Sequence, residues 1–179
     1  MPAVVPFATP WWVNLLILAP MVPWLLSLKE RTRLGARRLG IAAFFGIAFG
    51  FVEAAVVVYL RAALGLAPGA EAKALFPLPA NLLRIETIRE VATVIMLAGI
   101  AWLAGQNIRE RVTAFLWTFA FWDAFYYVWL RATIGWPVSL LDFDVLFLIP
   151  TPWVSQVWFP LLIDGLTVVA VWWRSSESR

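Results

Sequence analysis

Ionisable side chains that stand within apolar segments are the residues of this chain best placed to do chemistry. Glu86, Arg89 and Glu90 share one helical face, because they follow an i, i+3, i+4 spacing. Several carboxylates beside one guanidinium cannot all stay ionised in a low-dielectric site, so they must bind protons or a cation. The sequence therefore predicts a proton- or cation-binding cluster with these members: Glu53, Glu86, Arg89, Glu90, Asp123 and Asp164. A structural polar network that fixes helix register is the alternative.

Two segments of the chain are versions of one another. Residues 49–65 and 119–135 both fit the pattern F-x-F-x-[E/D]-A-x-x-x-V-x-L-R-A-x-x-G, with eight identities in 17 positions and no gap. The alignment matches Glu53 with Asp123, and a carboxylate kept at the same place in two duplicated helices indicates a site. Each copy is a helix, an outer loop and a returning helix, so the two copies have the same orientation, as in a parallel repeat.

The composition predicts a polytopic membrane protein. Hydrophobic residues make up 63% of the 179 residues, and the mean hydropathy is +0.83, whereas soluble domains are nearer half apolar.

The chain has no Cys and no His, so we expect no haem, iron–sulfur or ordinary zinc ligation within it. No cofactor is evident, and the metal we consider is a hard divalent cation held by oxygen atoms. The net charge of +3 comes from basic residues in linkers, where they set topology, so we expect no nucleic-acid partner.

We expect an all-α integral membrane protein with about five transmembrane helices. The predicted helices span residues 10–28, 39–61, 82–104, 112–131 and 152–173. These helices organise the chain into an N-terminal helix with a basic linker (1–38), two helix hairpins (39–104 and 112–173) and a tail (174–179).

Basic residues set the expected orientation. The linkers 29–38 and 105–111 and the tail carry Arg or Lys in excess, and such segments stay on the cytoplasmic side. The N-terminus and the loops 62–81 and 132–151 then face outward, and the C-terminus is cytoplasmic. We expect the cytoplasmic membrane of a bacterium.

Helix geometry predicts a common depth for four of the acids. Glu53 stands eight residues from Arg61, and Asp123 stands eight residues from Arg131, which is about 12 Å of helix in each case. Glu90 and Asp164 give similar depths from the ends of their own helices. A charge that faces lipid at this depth costs a few kcal/mol or more, so we expect these side chains to face inward. The small residues Gly46, Gly50 and Ala54 predict a close helix contact on the face of Glu53.

Four further charged residues are candidates for an outer rim or a substrate contact. Arg61 and Arg131 could bind an anionic headgroup, or they could anchor the helix ends. Asp142 and Asp144 form a D-x-D pair in the second outer loop, which could hold a divalent ion or could be part of an ordinary loop.

Three functions fit these features. We expect proton- or cation-coupled transport of a small solute. The alternatives are a membrane enzyme that uses buried carboxylic acids on a lipid or isoprenoid, and an accessory structural subunit of a larger membrane complex. The expected partners are the lipid bilayer and either a second copy of the chain or other membrane subunits.

Overall fold

A computed structural model describes residues 8–26, 34–67 and 78–176. The helices are a 3-10 helix at Trp11–Leu18, α1 at Met21–Leu26, α2 at Ala36–Ala63, α3 at Ala80–Ala104, α4 at Ile108–Ile134 and α5 at Trp158–Ser176. The strands are β1 at Ala8–Thr9, β2 at Phe143–Phe147 and β3 at Trp153–Gln156, and they form an antiparallel sheet in the order β1-β3-β2.

The chain is mostly helical, as predicted, and it adds a small sheet that the helical prediction did not include. The segments predicted at 39–61, 82–104 and 112–131 are the helices α2, α3 and α4. The segment predicted at 10–28 is divided into the 3-10 helix and α1, and the break comes at Pro20, which has no N–H to continue a helix.

The start predicted for the last helix is wrong. Residues 153–156 form β3 rather than the first turn of a helix, and α5 begins at Trp158. The physical reason is pairing with distant segments. Ala8 pairs with Ser155, and Asp144 pairs with the same residue from the other side, so the ladder satisfies backbone groups that a helix would otherwise satisfy.

Two described helices, α2 and α3, are long and apolar enough to cross a membrane. The arrangement of α3 agrees with that setting. Its buried stripe includes Glu86 and Glu90, while Ile95 and Leu103 are 64% and 84% exposed. A helix on the surface of a soluble protein has its charged residues outside and its apolar residues inside, which is the reverse order. The pattern favours a membrane location.

Helices α2 and α4 pack closely against each other, as the small residues of α2 predicted. A Cβ atom added to Gly46 would lie 2.8 Å from the carbonyl oxygen of Thr118, and one added to Gly50 would lie 2.7 Å from that of Trp122. Helix α4 also packs against α3 and α5. It is therefore the central helix of the bundle.

The β2–β3 hairpin folds back onto the helices instead of extending away from them. The ring of Phe147 stacks on Phe119 of α4, with 6.2 Å between the ring centroids. The N–H groups of Val157 and Trp158 donate to the carbonyls of Asp142 and Leu140, at 3.0 and 2.9 Å. These bonds fix the hairpin to the start of α5.

Some residues behind the topology prediction lie outside the described ranges. They include Lys29, Arg31 and Arg33 of the basic linker and residues 68–77, half of the loop 62–81. The predicted orientation of the termini and the predicted division into domains remain predictions.

Replacement of Gly50 by Ala is expected to destabilise the protein by about 1–3 kcal/mol, because the new methyl group overlaps the backbone of α4. Gly40→Ala is the matched control in the same helix, since no atom lies within 4 Å of its added Cβ. Thermal unfolding of the purified protein in mild detergent measures the effect. Equal melting temperatures for the two variants would contradict the close contact.

Candidate functional site

Arg89 is the centre of an ion-paired group that joins α2 and α3. Its guanidinium forms salt bridges with Glu53 of α2 and with Glu86 of its own helix, the latter with 2.8 Å between Nε and Oε2. The hydroxyl of Thr93 donates to Oε2 of Glu53 at 3.2 Å. Both glutamates are buried, so one guanidinium balances two carboxylates away from water.

Glu90 has a different partner from its neighbours. Both of its carboxylate oxygens accept the backbone N–H of Leu148, at 3.0 and 2.9 Å. Leu148 follows β2 directly, so Glu90 holds the hairpin against the bundle. An acid on the polar stripe of α3 thus satisfies a backbone donor of a segment 58 residues away.

Asp123 of α4 and Asp164 of α5 form an acid pair, with their side chains within hydrogen-bonding reach of each other. Asp164 is 5% exposed, and its Oδ2 atom is buried without a hydrogen-bond partner. Two ionised carboxylates repel each other at this range. A proton or a cation between the two carboxylates would therefore stabilise the contact.

Two adjoining cavities connect the predicted cluster. The first has about 80 Å³ of space for water-sized molecules, which is room for several waters. The second is larger, about 490 Å³, and lies between α3, α4 and α5. Glu90, Asp123, Leu146 and Phe147 line both cavities, so they form the boundary. Of the predicted cluster, Asp164 lines the second cavity. The other five members line the first: Glu53, Glu86, Arg89, Glu90 and Asp123.

Asp144 and Arg61, which the sequence placed at an outer rim, are both buried. The Asp144 carboxylate accepts the Tyr127 hydroxyl at 3.0 Å and the Val145 N–H at 2.9 Å. Burial raises the pKa of Asp144 to about 7, although both hydrogen bonds act to lower it. The guanidinium of Arg61 lies over the ring of Trp136, 4.8 Å from its centroid. Arg61 is therefore packed inside the protein rather than extended toward a membrane surface.

The remaining rim candidates make local contacts. Oδ2 of Asp142 accepts the N–H groups of Val138 and Ser139, at 2.8 and 3.1 Å, so Asp142 and Asp144 have separate partners. Arg131 is exposed and donates to the carbonyls of Gly135 and Pro137 just beyond α4. Among the described residues, no group of three or more acids is arranged to hold a metal ion, and the divalent cation stays a prediction.

Sequence reasoning missed the hairpin that closes the first cavity. The backbone N–H of Leu148 is a partner of Glu90 that no side-chain motif reveals. The usable signal was the order D-F-D-V-L-F at 142–147, in which the two acids alternate with apolar residues and Pro150 and Pro152 follow closely. Such a pattern is typical of a short strand that ends in a turn.

Replacement of Arg89 by Met is expected to destabilise the protein by about 3–5 kcal/mol, because two buried carboxylates lose their counter-charge. Arg84→Met is the matched control, since Arg84 is exposed on the same helix. Adding Glu53→Gln to Arg89→Met should restore part of the loss. Thermal unfolding in detergent measures all three variants, and equal stability of the Arg89 and Arg84 variants would refute the ion-paired group.

Replacement of Asp144 by Asn is expected to change the pH dependence of stability. An unfolded aspartate has a pKa near 4, and the folded pKa of Asp144 is about 7. The folded state thus favours the protonated acid, and ionisation costs stability progressively as the pH rises from about 4 to about 7. The melting temperature of the wild type, relative to that of Asp144→Asn, should fall between pH 5 and pH 8. A constant difference across this range would contradict the raised pKa.

Comparison with known proteins identifies no relative. No protein-family model, no curated protein and no solved structure matches this chain. The side chains and their geometry are therefore the basis of the functional argument.

Proposed function

We propose that the protein is an integral membrane protein with about five spanning helices, made of an N-terminal helix and two parallel helix hairpins at 39–104 and 112–173. The length and composition of α2 and α3 support this proposal. The matched segments also end alike, because Gly65 and Gly135 both adopt a left-handed backbone, with φ of +70° and +71°. Glycine tolerates that conformation at the end of a helix.

The proposed topology has the N-terminus outside and the C-terminus in the cytoplasm of a bacterium. The contacts of the basic residues support a single basic end of the bundle. Arg38, at the start of α2, donates to the carbonyl of Ala104 at the end of α3, at 3.2 Å. Arg111, at the start of α4, donates to Gly105 and lies over the ring of Trp102. Basic residues at one end of a membrane bundle favour the cytoplasmic side there.

The function that we propose is proton- or cation-coupled transport of a small solute. The acid pair of Asp123 and Asp164 is the observation that carries this proposal. Neither acid has Arg89 as its partner, and one oxygen of Asp164 is buried without a hydrogen bond. An unpaired buried polar atom costs about 1–3 kcal/mol, so a proton or a cation bound at this atom would be stabilising.

The pair suits the binding and release of a single positive charge. When a proton or a small cation is bound, the two carboxylates attract it together. When it leaves, their repulsion across α4 and α5 favours separation of the two helices. Binding of the proton or cation is thereby coupled to the separation of α4 and α5. A coupled carrier requires this kind of link between ion binding and conformation.

The test is an electrical measurement on the protein reconstituted in a solid-supported membrane. Such a membrane records charge displacement after a jump in pH or in Na⁺ concentration, even when no solute is supplied. We expect a transient current from the wild type and currents at background level from Asp123→Asn and Asp164→Asn. Asp142→Asn is the matched control, because Asp142 lines neither cavity.

Unchanged currents from both acid-pair variants would overturn the proposal. Absence of current from the wild type, with recovery of the protein only in company with other membrane subunits, would favour the accessory role instead.

A further inference from the structure

We propose that the larger cavity binds a lipophilic organic cation, an ammonium or phosphonium centre carried by apolar groups, with its charge against Asp123 and Asp164. This inference deepens the proposed transport function and rests on it, because it names the chemical class of the solute. It draws on the size, the charge, the aromatic lining and the exposure of the cavity.

The size of the cavity indicates an organic ligand. Its volume is about 490 Å³, within the range of small-molecule sites, roughly 300–1,000 Å³. Protons and small inorganic ions need none of this space. Aliphatic side chains form much of its wall, including Val94, Ile95, Leu116 and Ile163, so the ligand presents mostly apolar surface.

The charge of the cavity selects a cation. Every ionisable side chain among its described lining residues is a carboxylate, namely Glu90, Asp123 and Asp164. Arg89 lines the other cavity, where Glu53 and Glu86 already bind it. The buried and unpaired Oδ2 of Asp164 belongs to a residue that lines this cavity. An anion here would meet like charge without a counter-ion, whereas a cation would complete the acid pair.

Aromatic side chains in the wall favour an organic cation over a metal ion. The rings of the lining residues come from α4, α5 and the hairpin: Phe115, Phe119, Phe147, Trp153 and Phe159. Aromatic faces attract cations, and cages of such rings recognise quaternary ammonium groups. A hard metal ion would instead need several oxygen ligands, and most of this wall carries none.

The edge of the cavity is open to the outer surface of the bundle. Leu16, Val91, Val94 and Ile95 line the cavity and are themselves exposed, Ile95 to 64%. In the proposed topology that surface lies against lipid. A lipophilic cation partitions into the membrane, so it can reach the site sideways, between α3 and the 3-10 helix.

The experiment compares two probes of the same shape and opposite charge. Tetraphenylphosphonium and tetraphenylborate are titrated into the purified full-length protein in mild detergent, and isothermal calorimetry measures the binding. We expect saturable binding of the phosphonium and none of the borate. Asp123→Asn and Asp164→Asn should each weaken phosphonium binding by about tenfold or more, while Asp142→Asn should leave it unchanged.

A second variant keeps the result interpretable if an acid variant does not fold. Phe119→Leu preserves an apolar side chain but removes a ring face, and it should weaken phosphonium binding in a protein that still folds, although the lost stacking on Phe147 lowers the melting temperature. Equal binding of the two probes, or undiminished phosphonium binding by the acid variants, would overturn the proposal. Binding of the isoprenoid alcohol farnesol without binding of the phosphonium would also overturn it, and would favour a lipid-handling enzyme.

The two proposals fail separately. If the pH-jump currents depend on Asp123 and Asp164 but the phosphonium does not bind, the coupling site stands and the solute class is wrong. If the phosphonium binds through the acids but no variant or wild type gives a current, the binding site stands and transport is wrong.

Discussion

A buried charge must keep its partner, and the position of α3 depends on this constraint. Helix α3 packs mainly on α4 and has few contacts with α2. It is linked to α2 by the salt bridge from Arg89 to Glu53, by the Thr93 hydroxyl on the same carboxylate and by the hydrogen bond from Arg38 to Ala104. Loss of one partner from a buried pair costs several kcal/mol, so α3 cannot rotate or slide freely. Because the rotation of α3 is fixed at Arg89, the next residue, Glu90, faces Leu148. Its carboxylate accepts the Leu148 N–H and holds the hairpin where it closes the first cavity.

The position of the larger cavity follows from unequal packing around α4. Gly46 and Gly50 let α2 lie against the backbone of α4, and this contact leaves no room for a ligand. On the other side α3 and α5 both contact α4, and the larger cavity lies between them. The side of α4 that faces α3 and α5 therefore borders the large apolar cavity, while the side that faces α2 forms a close backbone contact. A bundle in which all helices packed at the α2–α4 distance would have no site.

Local patterns predicted the helices and the polar stripe, because hydropathy and the i, i+3, i+4 spacing are properties of short segments. The stripe of Glu86 and Glu90 on one face of α3 is present as expected. Such local patterns could not predict which side chains would become partners across different helices. Nothing in the sequence near Asp123 shows that it meets Asp164 and not Arg89, since the relative rotation of α4 and α5 is a tertiary property. The short segment W-V-S-Q at 153–156 does not by itself distinguish a strand from a helix, and only its pairing with β1 and β2 decides the outcome.

The proposed duplication gives the matched acids opposite chemical settings. Glu53 lies against a guanidinium, which remains protonated at any physiological pH, so its negative charge is fixed. Asp123, at the same place in the second copy, lies against another carboxylic acid, so its charge depends on what is bound. The proposed transport function thus assigns a structural role to the acid of one copy and the exchange of a proton or a cation to the acid of the other. The larger cavity adjoins the exchanging copy and not Glu53, which places the apolar space beside the acid whose charge can change.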